Sequence, residues 1–310
     1  MHDEHVINLD CFGARCTIAL TNDGGAPLRA IAAASFLLDC HRRLSRFLPD
    51  SELSRLNADP RETVPVSPLM ADFLGAVRRA GERSDGLIDA TLLPALRDAG
   101  YAASISGRDP GLLRPTPTVA RPAAPDSAAR WREIAVDETA GTVTRPPGLE
   151  IDSGGVAKGW AADRAAAILE PAPTLAVECA GDIRIFGSAG AERRIAVTDP
   201  FDGSRIAELA LSDAGVATSG TGKRRWRNAD GTVGHHLIDP STGRPSDSGV
   251  VQATALAPTA EEAEVWAKAA VLSGPERAAG WLPDGGWIVL ADHTVVEIPA
   301  RERAHEAVAA

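Results

Sequence analysis

Long hydrophobic runs are missing from this chain of 310 residues. The longest near the N-terminus, AIAAASFLL from Ala30 to Leu38, ends at Asp39. A membrane-spanning helix needs roughly 20 apolar residues, so no membrane segment is expected. The opening MHDEHVINLD is acidic and polar, with neither a basic n-region nor an apolar h-region. No signal peptide is visible in it, and on this N-terminus the cytoplasm is the expected location. A leader already removed would leave no trace. Cysteine is sparse: Cys11, Cys16, Cys40 and Cys179 show no CxxC spacing, which argues against a zinc site or a disulfide frame. Positive charge is in deficit, with 32 Lys and Arg against 42 Asp and Glu and a net charge of −10. A nucleic-acid surface is therefore not the expected business of the chain, and an anionic ligand must be met by a local basic site. The ordinary P-loop is also absent. In EIDSGGVAKGWAADRAAAIL, Glu150 to Leu169, Lys158 is followed by Gly159 and Trp160 rather than by Ser or Thr.

That stretch nevertheless reads as a short strand, a Gly-Gly turn, a lysine and an alanine-rich helix. Such an arrangement points backbone N–H groups outward and attracts anions. Around it, the 44% hydrophobic and 24% charged content fits a globular protein of one large domain or two ordinary ones. INLDCFGARCTIALT reads as strand with a central glycine, and the segment from Pro27 to Phe47 as an amphipathic helix of about five turns. Ser67 caps a second helix ending near Ser84. Asp109 to Ser127 holds five of the 22 prolines and reads as a surface loop or insertion. From Trp131 onward short strands dominate: REIAVDE, TVTRP, LEID, LAVECAGDIRIFG, RRIAVTDP, GVATSG and VVQATALAP. RRWRNADGTVGHHLIDP predicts a hairpin about its Asp-Gly turn. Ala260 to Ser273 predicts a late helix, and GWIVLAD with TVVEIP a closing hairpin. Helices flanking mostly antiparallel strands give an α+β class.

Several residues could carry chemistry. His235 and His236 are neighbours, so on a strand at most one faces a given pocket. Either one suits a general base beside a loop rich in Asp, Ser, Thr and Gly, or both are polar strand residues at a hairpin edge. KRRWR mixes charge with an aromatic as nucleic-acid binders do, but in so acidic a chain it reads better as a solvated strand with one anchoring Trp. Asp89 is either a helix N-cap or an acceptor in a pocket. Asp152 can bond the backbone of its own turn. Glu264 and Lys268, four apart, most commonly form a solvent-facing ion pair.

Taken in order, SELSRLN, LIDATLLPAL, EIDSGGVAKGWAADRA, ECAGDIRIFG, VATSG, HHLIDPSTGRP and an AExxAK helix resemble the FAD:protein FMN transferase family over roughly residues 7 to 300. The resemblance implies one domain over residues 1–310, of tunnelling-fold-like α+β architecture. Two lobes would enclose a flavin cleft, with the Pro-rich loop at about 109–127. It implies magnesium-dependent cleavage of the FAD pyrophosphate. FMN would pass to a Thr or Ser hydroxyl of a partner flavoprotein, with release of AMP. By the same resemblance Asp152, Gly154 and Lys158 contact the dinucleotide, and the Gly155 carbonyl and Glu264 hold Mg2+. Leu87, Ile88, Asp89 and Ile238 line the flavin, with Phe12 and Phe47 against its ring, and His236 is the base.

Two departures stand out. The family's late helix carries an Asp and, four residues on, a Thr as metal ligands; here they are Glu264 and Lys268. An ammonium has donors only and cannot coordinate magnesium. Lys268 either places a fixed positive charge at the pyrophosphate, as a catalytic group, or pairs with Glu264 and disables the site. The family's Gly-Gly-Asp is Ala180-Gly181-Asp182, and Thr221 and Gly222 follow TSG in place of Asp and Tyr. Two rivals to the transferase follow: an FAD-binding protein without chemistry, and a pyrophosphatase that gives FMN and AMP.

Overall fold

Eight strands form the main sheet of the computed structural model, which describes residues 3–104, 113, 120–188, 191–228 and 231–301. They are β1 (Glu4–Cys11), β2 (Ala14–Thr21), β3 (Thr174–Cys179), β4 (Asp182–Gly187), β5 (Asp213–Gly220), β6 (Val250–Ala257), β7 (Gly286–Leu290) and β8 (Val295–Ile298). Each lies antiparallel beside the one before it. The sheet is thus a meander, and everything else is inserted between its strands. Two of its turns, Phe12-Gly13 and Ala180-Gly181, have positive φ at both central residues. That mirror-image geometry matches the twist of the flanking strands.

Three helices cover one face of the sheet: α1 (Ala26–Leu44), α5 (Ala157–Leu169) and α6 (Ala260–Ser273). The helices α2 (Glu52–Ala58), α3 (Pro68–Arg83) and α4 (Leu93–Asp98) lie in the insertion between β2 and β3. The same insertion holds a three-stranded sheet of Thr63–Pro65, Thr142–Thr144 and Ala135–Asp137. Ser67 caps α3, accepting from the Met70 N–H at 3.2 Å. α6 starts where the composition predicts. Its cap Thr259 accepts from Glu262, while Asp163 on α5 accepts the Ala260 and Glu261 N–H groups at 2.9 and 2.8 Å. One helix therefore fixes where the next begins.

The α5–α6 contact is close because alanines and one glycine line it. A Cβ built on Gly159 would fall 2.3 Å from the Ala260 carbonyl oxygen. With nothing there, the Gly159 N–H reaches the Glu264 carboxylate at 2.9 Å. Trp160, 1% exposed, fills the space beneath, edge-on to Phe73 with ring centres 5.6 Å apart.

The predicted hairpin forms, pairing Arg225–Arg227 with Val233–His235, and so does the closing pair β7–β8. Two expectations need correction. LEID is not a sheet strand. Its extended backbone is held instead by the Asn57 side-chain amide, which bonds both the N–H and the carbonyl of Ile151 at 2.8 Å, and by the Ala90 carbonyl, which accepts from Asp152. In the Pro-rich segment, residues 109–112 and 114–119 lie outside the described residues. Its end is not a loose loop: Arg121 and Ala123 donate to the carbonyls of Asp247 and Leu272, and Ala123 is buried. Among the described residues no helix is long and apolar enough to cross a membrane.

Candidate functional site

A cavity of about 1110 Å³ draws its walls from separated parts of the chain. They are the β1–β2 turn, the end of α1 and the residues after it, the 87–92 segment, the 152–158 glycine turn, residues 222–224 and 236–238, and Lys268 on α6. Phe12, Phe47, Leu87, Ile88, Asp89, Asp152, Gly154, Gly155, Lys158, His236, Ile238 and Lys268 all line it. Glu264 does not. It lies 1% exposed just behind the wall, bonded to the groups that do.

The glycine turn is organised by Asp152. One carboxylate oxygen accepts the Gly154 N–H at 2.9 Å, and the other faces Arg46 Nε at 2.8 Å. The turn-bonding role foreseen for Asp152 is thus present, and it spends the Gly154 N–H within the protein. Arg46 was not singled out in the sequence. Its guanidinium lies 4.1 Å from the centre of the Phe47 ring and 4.6 Å from that of Tyr101. Tyr101 in turn stacks on Trp226 at 5.2 Å. The Trp of KRRWR is therefore the anchoring residue its composition suggested.

Behind the turn lies a chain of buried charges. Lys158 Nζ donates to Asp182 and stands 3.1 Å from Glu264 Oε1. Lys268 Nζ stands 3.6 Å from the same oxygen and donates to the Gly155 carbonyl at 2.5 Å. Burial opposes ionisation of Glu264, but Lys158, Lys268 and the Gly159 N–H outweigh it and bring the carboxyl down to about 2. Burial lifts Asp182 to about 7 against the pull of Lys158. Asp182 belongs to the quoted AGD motif, but only the fold reveals it as the partner of Lys158.

Glu264 and Lys268 are thus no solvent-facing pair. The two groups expected to hold magnesium, the Gly155 carbonyl and the Glu264 carboxylate, are both engaged by one ammonium group. Magnesium needs near-octahedral oxygen ligands, and an adjacent fixed cation repels it. Among the described residues no group of three or more His, Cys, Asp or Glu is arranged to hold a metal ion. The donor set as folded does not fit a divalent ion.

Of the two neighbouring histidines, only His236 lines the cavity. His235 faces the Ser246 carbonyl at 2.9 Å through Nε2, while its Nδ1 accepts the Leu237 N–H. The bond accepted at Nδ1 requires the neutral ring, which burial also favours, and against the opposing Ser246 bond the pKa falls to about 4. Burial, then the charge of Arg224, holds His236 well below the ordinary imidazole value. Its Nδ1 is buried and has no protein partner. A neutral ring with a free nitrogen can accept a proton.

The Phe12 backbone N–H donates to His41 Nδ1 at 3.1 Å, and Arg224 Nη2 donates to the Phe12 carbonyl at 3.3 Å. These bonds hold Phe12 at φ 54°, a conformation that costs a non-glycine residue about 1 kcal/mol or more. Asp89, 9% exposed, accepts from the Thr91 N–H and hydroxyl. It caps no helix; burial raises its pKa.

The fold resembles that of solved ApbE proteins. It matches the ApbE protein of Thermotoga maritima with a TM-score of 0.79 at 25% identity, covering 95% of this chain and 97% of that one. The flavin transferase ApbE of Vibrio cholerae matches at 0.74 and 21%, covering 97% and 98%, a likeness of fold alone. In sequence, the FAD:protein FMN transferase of Salmonella typhimurium is 30% identical over 244 residues, 76% of this chain and 68% of the relative. One from Klebsiella pneumoniae is 31% identical over 262 residues, 81% and 72%. Residues 12–287 match the ApbE family. The chain belongs to that family, and its α+β class is the family's own.

Proposed function

We propose that the chain is an FAD:protein FMN transferase that passes FMN from FAD to a Thr or Ser hydroxyl of a target flavoprotein and releases AMP. One observation carries the reading. Residues drawn from seven separated segments line one cavity, with Lys158, Lys268 and His236 among them. The volume lies just above the usual range of roughly 300–1,000 Å³ for ligand pockets, which suits a dinucleotide. Phe12, Leu87, Ile88 and Ile238 supply apolar surface for the isoalloxazine, and the cationic wall supplies what a diphosphate requires.

In the reaction the hydroxyl oxygen bonds to the phosphorus of the FMN half as the bond from that phosphorus to the bridging oxygen breaks. The bridging oxygen leaves with AMP. His236 takes the hydroxyl proton, and the nearby ammonium groups offset the charge that builds on the departing phosphate of AMP. Phosphoryl transfer needs little more than positioning and charge neutralisation. The test is incubation with FAD and a Thr-containing acceptor peptide. One FMN per labelled peptide and equimolar AMP are expected. AMP with free FMN and unlabelled peptide would make the protein a pyrophosphatase, and FAD bound but intact would make it a binding protein.

A further inference from the structure

The cationic wall has an unusual construction. A carbonyl oxygen and a carboxylate converge on one point, and that point is filled by a side chain of the protein itself. Lys268 Nζ donates to the Gly155 carbonyl at 2.5 Å and faces Glu264 Oε1 at 3.6 Å, with its side chain only 10% exposed. Its place is over-determined. Glu264 is fixed from the other side by the Gly159 N–H at 2.9 Å and by Lys158 at 3.1 Å. Residue 155 leaves little room beside it, since a Cβ there would come within 3.3 Å of the ammonium nitrogen. An ammonium carries three donors. One goes to the Gly155 carbonyl, and Glu264 Oε1 at 3.6 Å is an ion-pair neighbour rather than a hydrogen-bond partner, which leaves donors for a ligand in the cavity that Lys268 lines.

We propose that the Lys268 ammonium is a built-in cation occupying the position of a divalent metal, so that the protein binds its diphosphate ligand and transfers FMN without one. The inference rests on the transferase reading for the nature of the ligand. It follows from three features together. The Gly155 carbonyl that would ligate a metal already accepts from Lys268, and Glu264 Oε1, which has no hydrogen bond, is flanked by two ammonium groups. The occupant is positively charged and anchored. A second ammonium, Lys158, shares the same carboxylate oxygen and adds to the charge facing the cavity. A preorganised charge in a water-poor wall needs no reorganisation when the ligand's charge shifts, which is where electrostatic catalysis gains most. A tethered cation also cannot be removed by a chelator.

The test uses the full chain, FAD and magnesium chloride. FAD affinity, by flavin fluorescence, and transfer rate to the peptide are measured in EDTA and in excess Mg2+, for the wild type and for Lys268→Thr. Magnesium alone is titrated calorimetrically into both. For the wild type, affinity and rate are expected to change less than about twofold, and no Mg2+ binding is expected. Lys268→Thr frees the carbonyl and carboxylate and adds a hydroxyl oxygen. In EDTA it should lose about tenfold or more in FAD affinity, the scale of one removed charge-assisted contact, and recover in Mg2+ while binding the ion. A wild type that needs Mg2+ to bind FAD or to transfer FMN overturns the proposal, whether or not the variant folds. A wild type that binds FAD equally well in EDTA but labels no peptide upholds the metal-free diphosphate site and defeats the transferase reading instead.

Discussion

Arg46 and Asp152 form a nearly buried ion pair in the cavity wall, Nε to Oδ1 at 2.8 Å, with side chains 5% and 15% exposed. Asp152 also holds the glycine turn through Gly154, and Arg46 sits against Phe47 and Tyr101. The pair therefore couples the turn to the aromatic side of the cavity. Arg46→Ala and Asp152→Ala should each weaken FAD binding about tenfold or more. The double variant should be little worse than either single one, with a coupling of about 1–3 kcal/mol. Additive losses in a double-mutant cycle of FAD affinities would mean that the two residues act separately.

His236 should matter to transfer and not to binding. His236→Ala is expected to lower kcat by about 10²–10⁴, with the FAD dissociation constant within about twofold of the wild type. Because burial and Arg224 keep the ring neutral, the wild-type rate should show no imidazole limb between about pH 6 and 8. A limb there that vanishes in His236→Ala would contradict the neutral resting state.

Gly159→Ala should destabilise, although alanine is worth about 1 kcal/mol more than glycine in a helix interior. The new methyl would strike the Ala260 carbonyl and force α5 from α6. A loss of about 1–3 kcal/mol, typical of overpacking, is expected in urea denaturation. A stabilised variant would show that the helix contact has slack.

His235 sets an acid limit on stability. Its folded pKa of about 4 lies below the ordinary 6.5, so the folded protein binds fewer protons than the unfolded chain between those values. The contribution is fully present above pH 6.5 and is lost as the pH falls toward 4, by about 3 kcal/mol in all. His235→Gln can still donate to the Ser246 carbonyl and does not titrate. Stability of the wild type should therefore fall below that of the variant, relative to their neutral-pH difference, as pH drops through this window. Parallel pH curves would remove His235 from the acid response.

The sequence made local structure legible where the information is local. Ser67 and the Ala260–Ser273 pattern located two helices, and the Asp-Gly turn located a hairpin. The alternation rule showed that only one of His235 and His236 could face a pocket. It could not say which, because the choice depends on the Ser246 carbonyl that captures His235. The strand expected at LEID failed for a similar reason. Its partner is a side-chain amide, Asn57, rather than another strand, and hydrophobic patterning cannot distinguish the two. Asp163, Arg46 and Arg224 act on residues far away in sequence, at α6, Asp152 and Phe12, so no spacing announces them. Family motifs brought most of the cavity residues into view. The exchange that alters its chemistry, Lys268 resting on the Gly155 carbonyl, needed three-dimensional positions.

The central claim is that one cavity takes the flavin dinucleotide, gripping it at the diphosphate beside Lys158 and Lys268. Calorimetric titration of the purified protein with FAD and, separately, with FMN tests it most directly. One FAD per chain, bound about tenfold or more tighter than FMN, is the predicted result. No binding of FAD, or equal affinity for the two flavins, would contradict it.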